Sequence, residues 1–233
     1  MQCRAVQQPL ECKVPTSATG RLELNTHTSP SRVSRSYLFW KRVIDVAGAS
    51  LFLIFCLPLV LVFACIIKLE DGGAVFHRRG VVGPQGAFDA FKLRSMRLDA
   101  DEALQHNARL REEFSRNFKL KNDPRITAVG AVIRRWSVDE VPQLWNVLCG
   151  QMSLVGPRMI SPAELAKFGD GAWIFQRVKP GLTGYWQVSG KQEASYGDRV
   201  EMELWYAEHR SFALDMIILL KTPLRVVRGR GAS

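Results

Sequence analysis

Residues 46–67, VAGASLFLIFCLPLVLVFACII, form an uncharged segment that decides the fold class. Its 22 residues are enough for a helix that crosses a bilayer, which needs about 20 apolar residues. Pro58 lies in the middle of the segment, where a proline removes a backbone hydrogen bond and bends a helix. The sequence therefore predicts a membrane-inserted helix over residues 37–69 that is broken at Pro58.

The residues that flank this segment bear on its topology. Lys41 and Arg42 precede it and Lys68 follows it, so the charges show no positive-inside asymmetry. A re-entrant hairpin that enters and leaves one leaflet satisfies both observations, with arms of about 15–18 Å at 1.5 Å per residue. A kinked single span is the alternative, because membrane helices tolerate proline. Asp45 is costly in lipid and is expected to pair with a nearby base or to cap a helix end.

The basic charge is concentrated before the apolar segment. The formal net charge is +10, and residues 1–42 hold 7 Lys/Arg against 2 Asp/Glu. Such an arm suits an anionic membrane surface. The sequence contains no helix-turn-helix pattern, zinc spacing or RNA-binding aromatic motif, so we expect no nucleic-acid partner. Residues 1–36 are rich in Ser, Thr, Gln and Pro and lack the apolar region of a signal peptide, which predicts a disordered basic arm.

The remaining chain predicts a single domain over residues 70–226. The expected fold class is α+β, mainly α, with a few short strands. Five cysteines, an odd number without a C-x-x-C pair, indicate reduced thiols in a domain that faces the cytosol. The predicted elements are turns or a short hairpin (70–86), a strand (88–96), a surface helix (97–119), a brief helix (163–168), a turn–strand–turn (179–190) and a helix that Pro223 stops (201–220).

Two adjacent acids, Asp139 and Glu140, stand in the stretch SVDEVPQLWNVLCGQMSLVGPR, residues 137–158. A capping box that uses Ser137 and Glu140 is the structural alternative to an active site. That box would place Pro142 at the fifth helical position, where its missing N–H breaks a bond, whereas a cap at Asp139 places it third. We therefore expect the acids at a helix tip, where phosphate binds and where Asp139 keeps a low pKa. Such an acid can act as a nucleophile or a metal ligand.

Several basic residues accompany this pair. Arginine forks suit phosphate oxygens, so these cations are candidate phosphate or substrate contacts. For each of them alone, a solvated surface charge is the simpler reading, and Asp123 before Pro124 reads equally as the start of a turn. The candidates are Lys92, Arg94, Arg125, Arg134 and Arg158.

These motifs resemble the bacterial sugar transferases, the monotopic polyprenyl-phosphate phosphoglycosyl transferases. The resemblance runs from residue 41 to about residue 222 and is carried by several strings. They are K-R-x-x-D (41–45), the apolar segment, FKLRSM (91–96), NDPRIT (122–127), RRWSVDEVPQLWNVLCGQMSLVGPR (134–158) and KPGLTGYWQVSG (179–190). The short form is most similar to the exopolysaccharide galactosyl-phosphate transferases.

The resemblance implies an activity that initiates exopolysaccharide or glycoconjugate synthesis. A sugar-1-phosphate moves from a UDP-sugar to undecaprenyl phosphate, UMP is released, and a covalent aspartyl-phosphosugar is the intermediate. It implies Asp139 as the nucleophile, Glu140 with Asp139 as ligands of Mg²⁺, and Arg134 and Arg158 as phosphate contacts. The expected partners are the two substrates and membrane lipid, with a homodimer left open. The expected location is the bacterial inner membrane, with the catalytic domain facing the cytoplasm.

Three positions depart from the family pattern. Met159 follows Gly-Pro-Arg where a proline is usual, and Leu57 precedes Pro58 where a serine is common. The R-x-G-x-x-G loop that follows the membrane segment in the family is altered here at residues 79–86. A membrane-anchored scaffold or regulator without catalysis is the alternative function. The presence of both Asp139 and Glu140 favours the enzyme. The sequence leaves galactose, glucose and N-acetylated sugars open as the sugar of the donor.

Overall fold

The computed structural model describes residues 33–117, 120, 122–189 and 195–227, and the side chains of residues 116 and 117 are not described. Most of the predicted arm, residues 1–36, lies outside these ranges. Within them the protein is mainly helical with short strands, as predicted. The helices are α1 (Arg35–Asp71), α2 (Ala100–His106), α3 (Ala108–Asn117), α4 (Ala128–Arg135), α5 (Gln143–Leu148), α6 (Pro162–Leu165), α7 (Ile174–Arg177), α8 (Tyr185–Ser189), α9 (Tyr196–His209) and α10 (Phe212–Val227). The strands are β1 (Phe76–Gly83), β2 (Gly86–Leu93), β3 (Ser153–Val155) and β4 (Gly181–Thr183), and 3₁₀ turns cover Val138–Glu140 and Ala166–Trp173.

Helix α1 contains the whole uncharged segment together with Pro58, and by length and composition it could cross a membrane. It begins after Ser34, whose hydroxyl accepts a hydrogen bond from the Ser36 N–H at 3.3 Å. It ends at Gly72, which adopts the left-handed conformation typical of a helix C-terminus. Pro58 removes one backbone donor but does not divide the helix. Two separate hairpin arms are therefore not seen, and the re-entrant topology stays a prediction.

One face of α1 is buried and the rest is exposed. The buried residues Ala49, Cys56, Val60 and Ile67 recur at intervals of seven, four and seven positions, which places them on one side of a helix. The opposite side exposes large apolar side chains, of which Leu51, Ile54 and Phe55 are 72 to 80% exposed. A continuous apolar surface of this kind marks a contact with a partner or a membrane.

The K-R-x-x-D motif docks the start of α1 on the domain. Arg42 donates to the carbonyl oxygens of Val147 and Leu148 at 2.6 and 2.8 Å, at the C-terminal end of α5 where cations are favourable. Asp45 accepts hydrogen bonds from the Ser153 hydroxyl at 3.0 Å and from the following backbone N–H at 2.9 Å. Asp45 caps no helix end, because the start of β3 supplies its donors, while the charge of Lys41 acts on it as the predicted nearby base would.

Asp215 joins α1 to the C-terminal helices. Its Oδ2 accepts from the Lys41 ammonium at 2.7 Å and from the Tyr37 hydroxyl at 2.9 Å. Its Oδ1 accepts from the Tyr206 hydroxyl at 2.7 Å. A single buried carboxylate on α10 thus bonds α1 and α9, and three donors compensate its burial.

Two short strand pairs complete the fold. Strands β1 and β2 form an antiparallel hairpin in which His77 lies opposite Lys92. Strands β3 and β4 are parallel, and the pairing continues as a bridge between Arg158 and Gly181. Gly156 and Gly181 face each other there, and a Cβ on Gly156 would collide with the Lys179 carbonyl oxygen. Both glycines are needed because the two backbones approach closely.

The C-terminal predictions need three corrections. The expected helix over residues 201–220 is two helices, because Ser211 starts α10 by accepting a hydrogen bond from the Leu214 N–H at 3.3 Å. Pro223 lies inside α10 and does not stop it, since it removes only one donor and the helix continues to Val227. The stretch 179–190 is a strand followed by helix α8, where a second turn was predicted.

The main apolar core positions the acidic pair. Side chains from α1, the hairpin, α4 and α5 meet in this core, and the 3₁₀ turn with Asp139 and Glu140 packs against β2 and α4. Met159, the residue in place of the usual proline, is 4% exposed and belongs to the same core. The most buried members are Ala49, Val81, Ala90, Ile133, Leu144, Val147 and Met152.

Candidate active site

The acidic pair lies in the 3₁₀ turn between α4 and α5. Ser137, just before it, has a positive φ (+55°), unlike the other non-glycine residues that the structure describes, and its side chain makes no capping hydrogen bond. The capping-box alternative was therefore wrong. Helix α5 starts at Gln143, after Pro142, so the helix does not begin at Asp139 as expected. The reason is local, because Pro142 lacks the N–H that a helix interior requires and is therefore suited to the start of a helix.

Asp139 is buried, with 5% of the residue exposed. Its Oδ2 lies 3.7 Å from the Lys92 ammonium, and its Oδ1 is buried without a hydrogen-bond partner among the described residues. Burial raises the pKa of Asp139, Lys92 opposes that rise, and the neighbouring Glu140 charge adds to it. The predicted low pKa was wrong, because desolvation outweighs the nearby cations and the residue is not at a helix tip. An unpaired, poorly solvated carboxylate oxygen is well suited to attack an electrophile.

Glu140 has the opposite electrostatic setting. Burial disfavours its charged form, but Lys92, Arg158 and Arg79 outweigh this effect and hold its pKa below the usual range. The Lys92 ammonium lies 2.7 Å from Glu140 Oε1. The pKa values of the two adjacent acids therefore shift in opposite directions, so that Glu140 is readily ionised while Asp139 is harder to ionise. Environments that separate two acids in this way are typical of groups with different catalytic tasks.

Arg134 is brought to the acids by helix α4. It lies in the last turn of that helix, which starts where the Thr127 hydroxyl accepts from the Gly130 N–H at 2.9 Å. The Arg134 Nε donates to the Ser95 hydroxyl at 2.7 Å. Asp139 is the anion that acts most strongly on the guanidinium. The Ser95 hydroxyl fixes one edge of the Arg134 guanidinium group, whose positive charge is thereby held near the acidic pair.

Arg158 approaches the pair from the Gly-Pro-Arg loop after β3. Its backbone N–H donates to Glu203 Oε1 at 3.1 Å, and its guanidinium carbon lies 5.8 Å from the centroid of the Trp186 ring. Arg158 follows Lys92 among the cations that lower the pKa of Glu140. The structure therefore brings Lys92, Arg134 and Arg158 together around the acids, as the sequence predicted.

Two predicted contacts are held elsewhere. Arg94 pairs with Asp71 at the end of α1. Arg125 donates twice to Asp123, at 2.8 and 2.7 Å, and both side chains are buried. Asp123 also accepts from the Arg125 N–H at 3.1 Å, so the predicted turn is confirmed. Each of these arginines already has its own carboxylate, and their role as substrate contacts stays a prediction.

Arg79 was missed, although it lies among the cations around Glu140. Its Nη2 is 3.5 Å from Glu164 Oε2, and Arg199 Nη1 is 3.3 Å from the other oxygen of the same carboxylate. The alternation of side chains along β1 could have placed Arg79 near the site. Because His77 faces Lys92 across the hairpin and side chains alternate along a strand, Arg79 shares the face that carries Lys92.

The donor set for a metal is small. Within the described ranges, no group of three or more His, Cys, Asp or Glu side chains could hold a metal ion. Asp139 and Glu140 supply two carboxylates, and one carboxylate oxygen is unpaired. Mg²⁺ in phosphoryl-transfer sites is commonly bound by one or two carboxylates together with substrate phosphates and water. The pair therefore fits Mg²⁺ if a phosphorylated substrate completes the coordination.

Comparison with known proteins gives a consistent result. A family model described as bacterial sugar transferase matches residues 36–229. The exopolysaccharide production protein ExoY of Rhizobium meliloti (strain 1021) is 41% identical, and the match covers 82% of this chain and 87% of that protein. The UDP-galactose-lipid carrier transferase of Erwinia amylovora is 38% identical over 99% of this chain. The undecaprenyl-phosphate galactose phosphotransferase of Salmonella typhimurium (strain LT2) is 42% identical over 85% of it. The matches span 50% and 42% of these last two relatives.

Proposed function

Because the chain belongs to the bacterial sugar transferase family, we propose that it moves a sugar-1-phosphate from a UDP-sugar to undecaprenyl phosphate and releases UMP. This reaction would start the assembly of an exopolysaccharide. The observation that supports it best is the buried Asp139 carboxylate, whose Oδ1 has no hydrogen-bond partner among the described residues and whose charge Lys92 and Arg134 favour. Phosphoryl transfer needs an oxygen nucleophile and fixed positive charge around the moving group; the turn provides the carboxylate, and β2 and α4 provide the cations.

The proposed chemistry has two displacements at one carboxylate. In the first, the Asp139 carboxylate attacks the phosphorus that carries the sugar, an aspartyl–phosphorus bond forms, and the bridging P–O bond of the donor's diphosphate breaks, so that UMP leaves with its electron pair. In the second, a phosphate oxygen of the lipid attacks the same phosphorus. The new pyrophosphate bond releases the Asp139 carboxylate in its original state. A covalent intermediate lets a soluble and a lipid substrate use one site in turn.

The neighbouring cations have separate tasks in this scheme. Lys92 keeps Asp139 ionised, because its ammonium offsets part of the desolvation that raises the pKa. Arg134, beside Asp139, and Arg158, beside Glu140, bind the non-bridging phosphate oxygens, and Arg79 joins Arg158 beside Glu140. Guanidinium groups suit this task because their fork matches two phosphate oxygens at once.

We assign the metal to Glu140, with Asp139 and the donor's phosphates as further ligands. When bound, Mg²⁺ neutralises charge that builds up on the phosphate oxygens and on departing UMP. Glu140 is the better ligand of the two acids, because its lowered pKa keeps it ionised at neutral pH. The same lowered pKa makes it unsuitable as a proton donor, which separates its task from that of a general acid.

We also propose that α1 enters and leaves the membrane on one side. Lys41 and Arg42 bond the domain just before the uncharged segment, and Asp71 pairs with Arg94 of the same domain just after it. A span would place these two flanks on opposite sides of a hydrocarbon core about 30 Å thick. A domain that contacts both flanks therefore supports re-entry, with the domain on the cytoplasmic side of the inner membrane.

The experiment that tests the activity measures UMP release by the purified protein in nanodiscs with Mg²⁺ and undecaprenyl phosphate. The donors are UDP-galactose, UDP-glucose and their N-acetylated forms, and UDP-galactose is expected to react because two relatives are named for galactose. The Asp139→Asn protein should fold and release no UMP, while Asp170→Asn, at an exposed position, should behave as wild type. In the absence of acceptor, intact mass should show a phosphosugar on wild type and not on Asp139→Asn.

Two outcomes would contradict the proposal. Full activity of Asp139→Asn would exclude Asp139 as the nucleophile. Failure of wild type with every donor, in the presence of acceptor and metal, would favour a scaffold that binds without turnover.

A further inference from the structure

Glu203 lies behind the site, on helix α9, and is completely buried. Its Oε1 accepts a hydrogen bond from the Arg158 backbone N–H at 3.1 Å. The other edge of the Gly-Pro-Arg loop is held by β4, where the Gly181 N–H donates to the Pro157 carbonyl oxygen at 2.8 Å. The loop that carries Arg158 is thus fixed from two sides, by a strand and by a single carboxyl group.

The side chain of Arg158 has a second constraint. Its guanidinium carbon lies 5.8 Å from the centroid of the Trp186 ring, and that of Arg199 lies 5.1 Å from the same ring. Two guanidinium groups on one ring repel each other. Arg199 stands one helical turn before Glu203 on α9, and its own ion pair is with Glu164 at 3.3 Å. Glu203 is therefore the acid that faces Arg158 and Arg199 together.

The carboxyl group of Glu203 is fully buried and, within the part of the chain that the structure describes, has a hydrogen bond to only one of its two oxygens. Oε2 is buried and has no hydrogen-bond partner among the described residues. Burial raises the pKa of Glu203 to about 7, although Arg199, Arg158 and the bond from the Arg158 N–H favour the charged form. A neutral carboxyl can carry its proton on Oε2 and still accept from Arg158 through Oε1. A glutamine amide offers the same acceptor oxygen.

We infer that Glu203 is a positioning residue for the transfer reaction, which holds the Gly-Pro-Arg loop so that the Arg158 guanidinium faces the donor's diphosphate. This inference rests on the proposed function, because the phosphate is assigned to Arg158 there. It assigns Glu203 no contact with substrate, since its Oε1 already accepts the hydrogen bond from the Arg158 backbone N–H. Glu203 affects the reaction through its hydrogen bond to the Arg158 backbone N–H, which holds the loop in place.

The test compares three substitutions in the full-length protein in nanodiscs. Glu203→Leu fills the space without an acceptor, and Glu203→Asp keeps the acid but is one methylene too short. Both should lower kcat/KM for the UDP-sugar by about 10- to 100-fold, by analogy with the loss caused when the partner that orients a metal ligand is removed. Glu203→Gln should stay close to wild type, because its amide oxygen accepts the same bond. Glu201→Ala, exposed on the same helix, is the matched control.

A double-mutant cycle separates positioning from a general loss of structure. If Glu203 acts through Arg158, then Glu203→Asp should cause little further loss in a protein that already carries Arg158→Ala. The binding of UDP, measured by calorimetry, should weaken in Glu203→Asp and not in Glu203→Gln. Melting temperatures of all variants identify any that do not fold.

The outcomes are distinct from a failure of the proposed function. Wild-type kinetics in Glu203→Asp, or losses that multiply in the double mutant, would overturn the positioning role while the enzyme itself stays active. A wild-type protein that releases no UMP would instead refute the activity on which the inference depends.

Discussion

The Lys92 ammonium lies 2.7 Å from Glu140 and 3.7 Å from Asp139, so that one cation serves both acids. Strand β2, which carries Lys92, is attached to α5 by the Asn146 side chain. Asn146 of α5 accepts from the Phe91 N–H at 3.1 Å and thereby ties strand β2 to the helix that follows the acids. Asn146 is completely buried, so this connection is shielded from water. The strand with the cation and the turn with the acids therefore form one rigid unit.

Lys92→Met should shift the pH dependence of the enzyme. Burial raises the pKa of Asp139, and Lys92 is the first cation that opposes this rise. Its removal raises that pKa further, so a smaller fraction of Asp139 is ionised at any pH below it. The acid limb of the kcat/KM profile should move to higher pH by about one unit or more, the size expected for the loss of an adjacent opposite charge. Initial rates of UMP release between pH 5 and 9 test this.

Lys92→Arg is the control for this prediction, because it keeps the positive charge while changing the shape of the group. Its acid limb should stay near that of the wild type even if the rate falls. An unchanged profile in Lys92→Met would mean that Lys92 does not set the ionisation of Asp139.

Gly156→Ala should disrupt the loop that carries Arg158. The new Cβ would collide with the Lys179 carbonyl oxygen and the backbone of Gly181, neither of which is a flexible side-chain end. Overpacking of this kind costs about 1–3 kcal/mol, and we expect UMP release to fall as well. Gly80→Ala is the control, because no atom lies within 4 Å of its new Cβ. Equal melting temperatures for the two variants would contradict the close approach of the strands.

Asp215→Ala should destabilise the protein more than most single changes. It leaves the Lys41 ammonium, which is 16% exposed, and the Tyr37 and Tyr206 hydroxyls without their shared acceptor. Removal of one partner of a buried ion pair costs about 3–5 kcal/mol. Chemical unfolding in detergent measures the loss. Lys221→Ala, exposed on the same helix, should change stability by less than about 0.5 kcal/mol, and a similar small effect at Asp215 would refute its anchoring role.

Much of the site follows from local patterns in the sequence. The adjacent acids, the Gly-Pro-Arg string and the basic residue of the strand predicted Asp139, Glu140, Lys92 and Arg158 as one group, because motifs of this kind constrain charge and turns over short distances. The apolar segment was equally visible, since 22 uncharged residues have few alternatives. These features need no knowledge of how distant elements pack.

The remaining features depend on burial by distant parts of the chain. The pKa of Asp139 was predicted with the wrong sign because the fold buries this carboxylate and desolvation outweighs the nearby cations. Arg94 and Arg125 were grouped with the site by charge, although each has a carboxylate partner elsewhere. Glu203, 45 positions beyond Arg158, carries no signal in the sequence beside the loop that it holds.

The topology of α1 gives the last prediction. Single cysteines at Ser36 and Glu70, both exposed and on opposite sides of the uncharged segment, should react with a membrane-impermeant maleimide from the same side of the membrane. The reason is that the domain bonds both flanks of the segment, through Lys41 with Asp215 and through Asp71 with Arg94. Inside-out vesicles should label both positions, and intact spheroplasts should label neither.

The cysteines are introduced into a protein whose native cysteines are replaced by serine. A cysteine at Phe55, 80% exposed and near Pro58, should be protected in both preparations because lipid covers it. Labelling of Ser36→Cys and Glu70→Cys from opposite sides would establish a spanning helix, and the contacts at one flank would then have to break in the membrane.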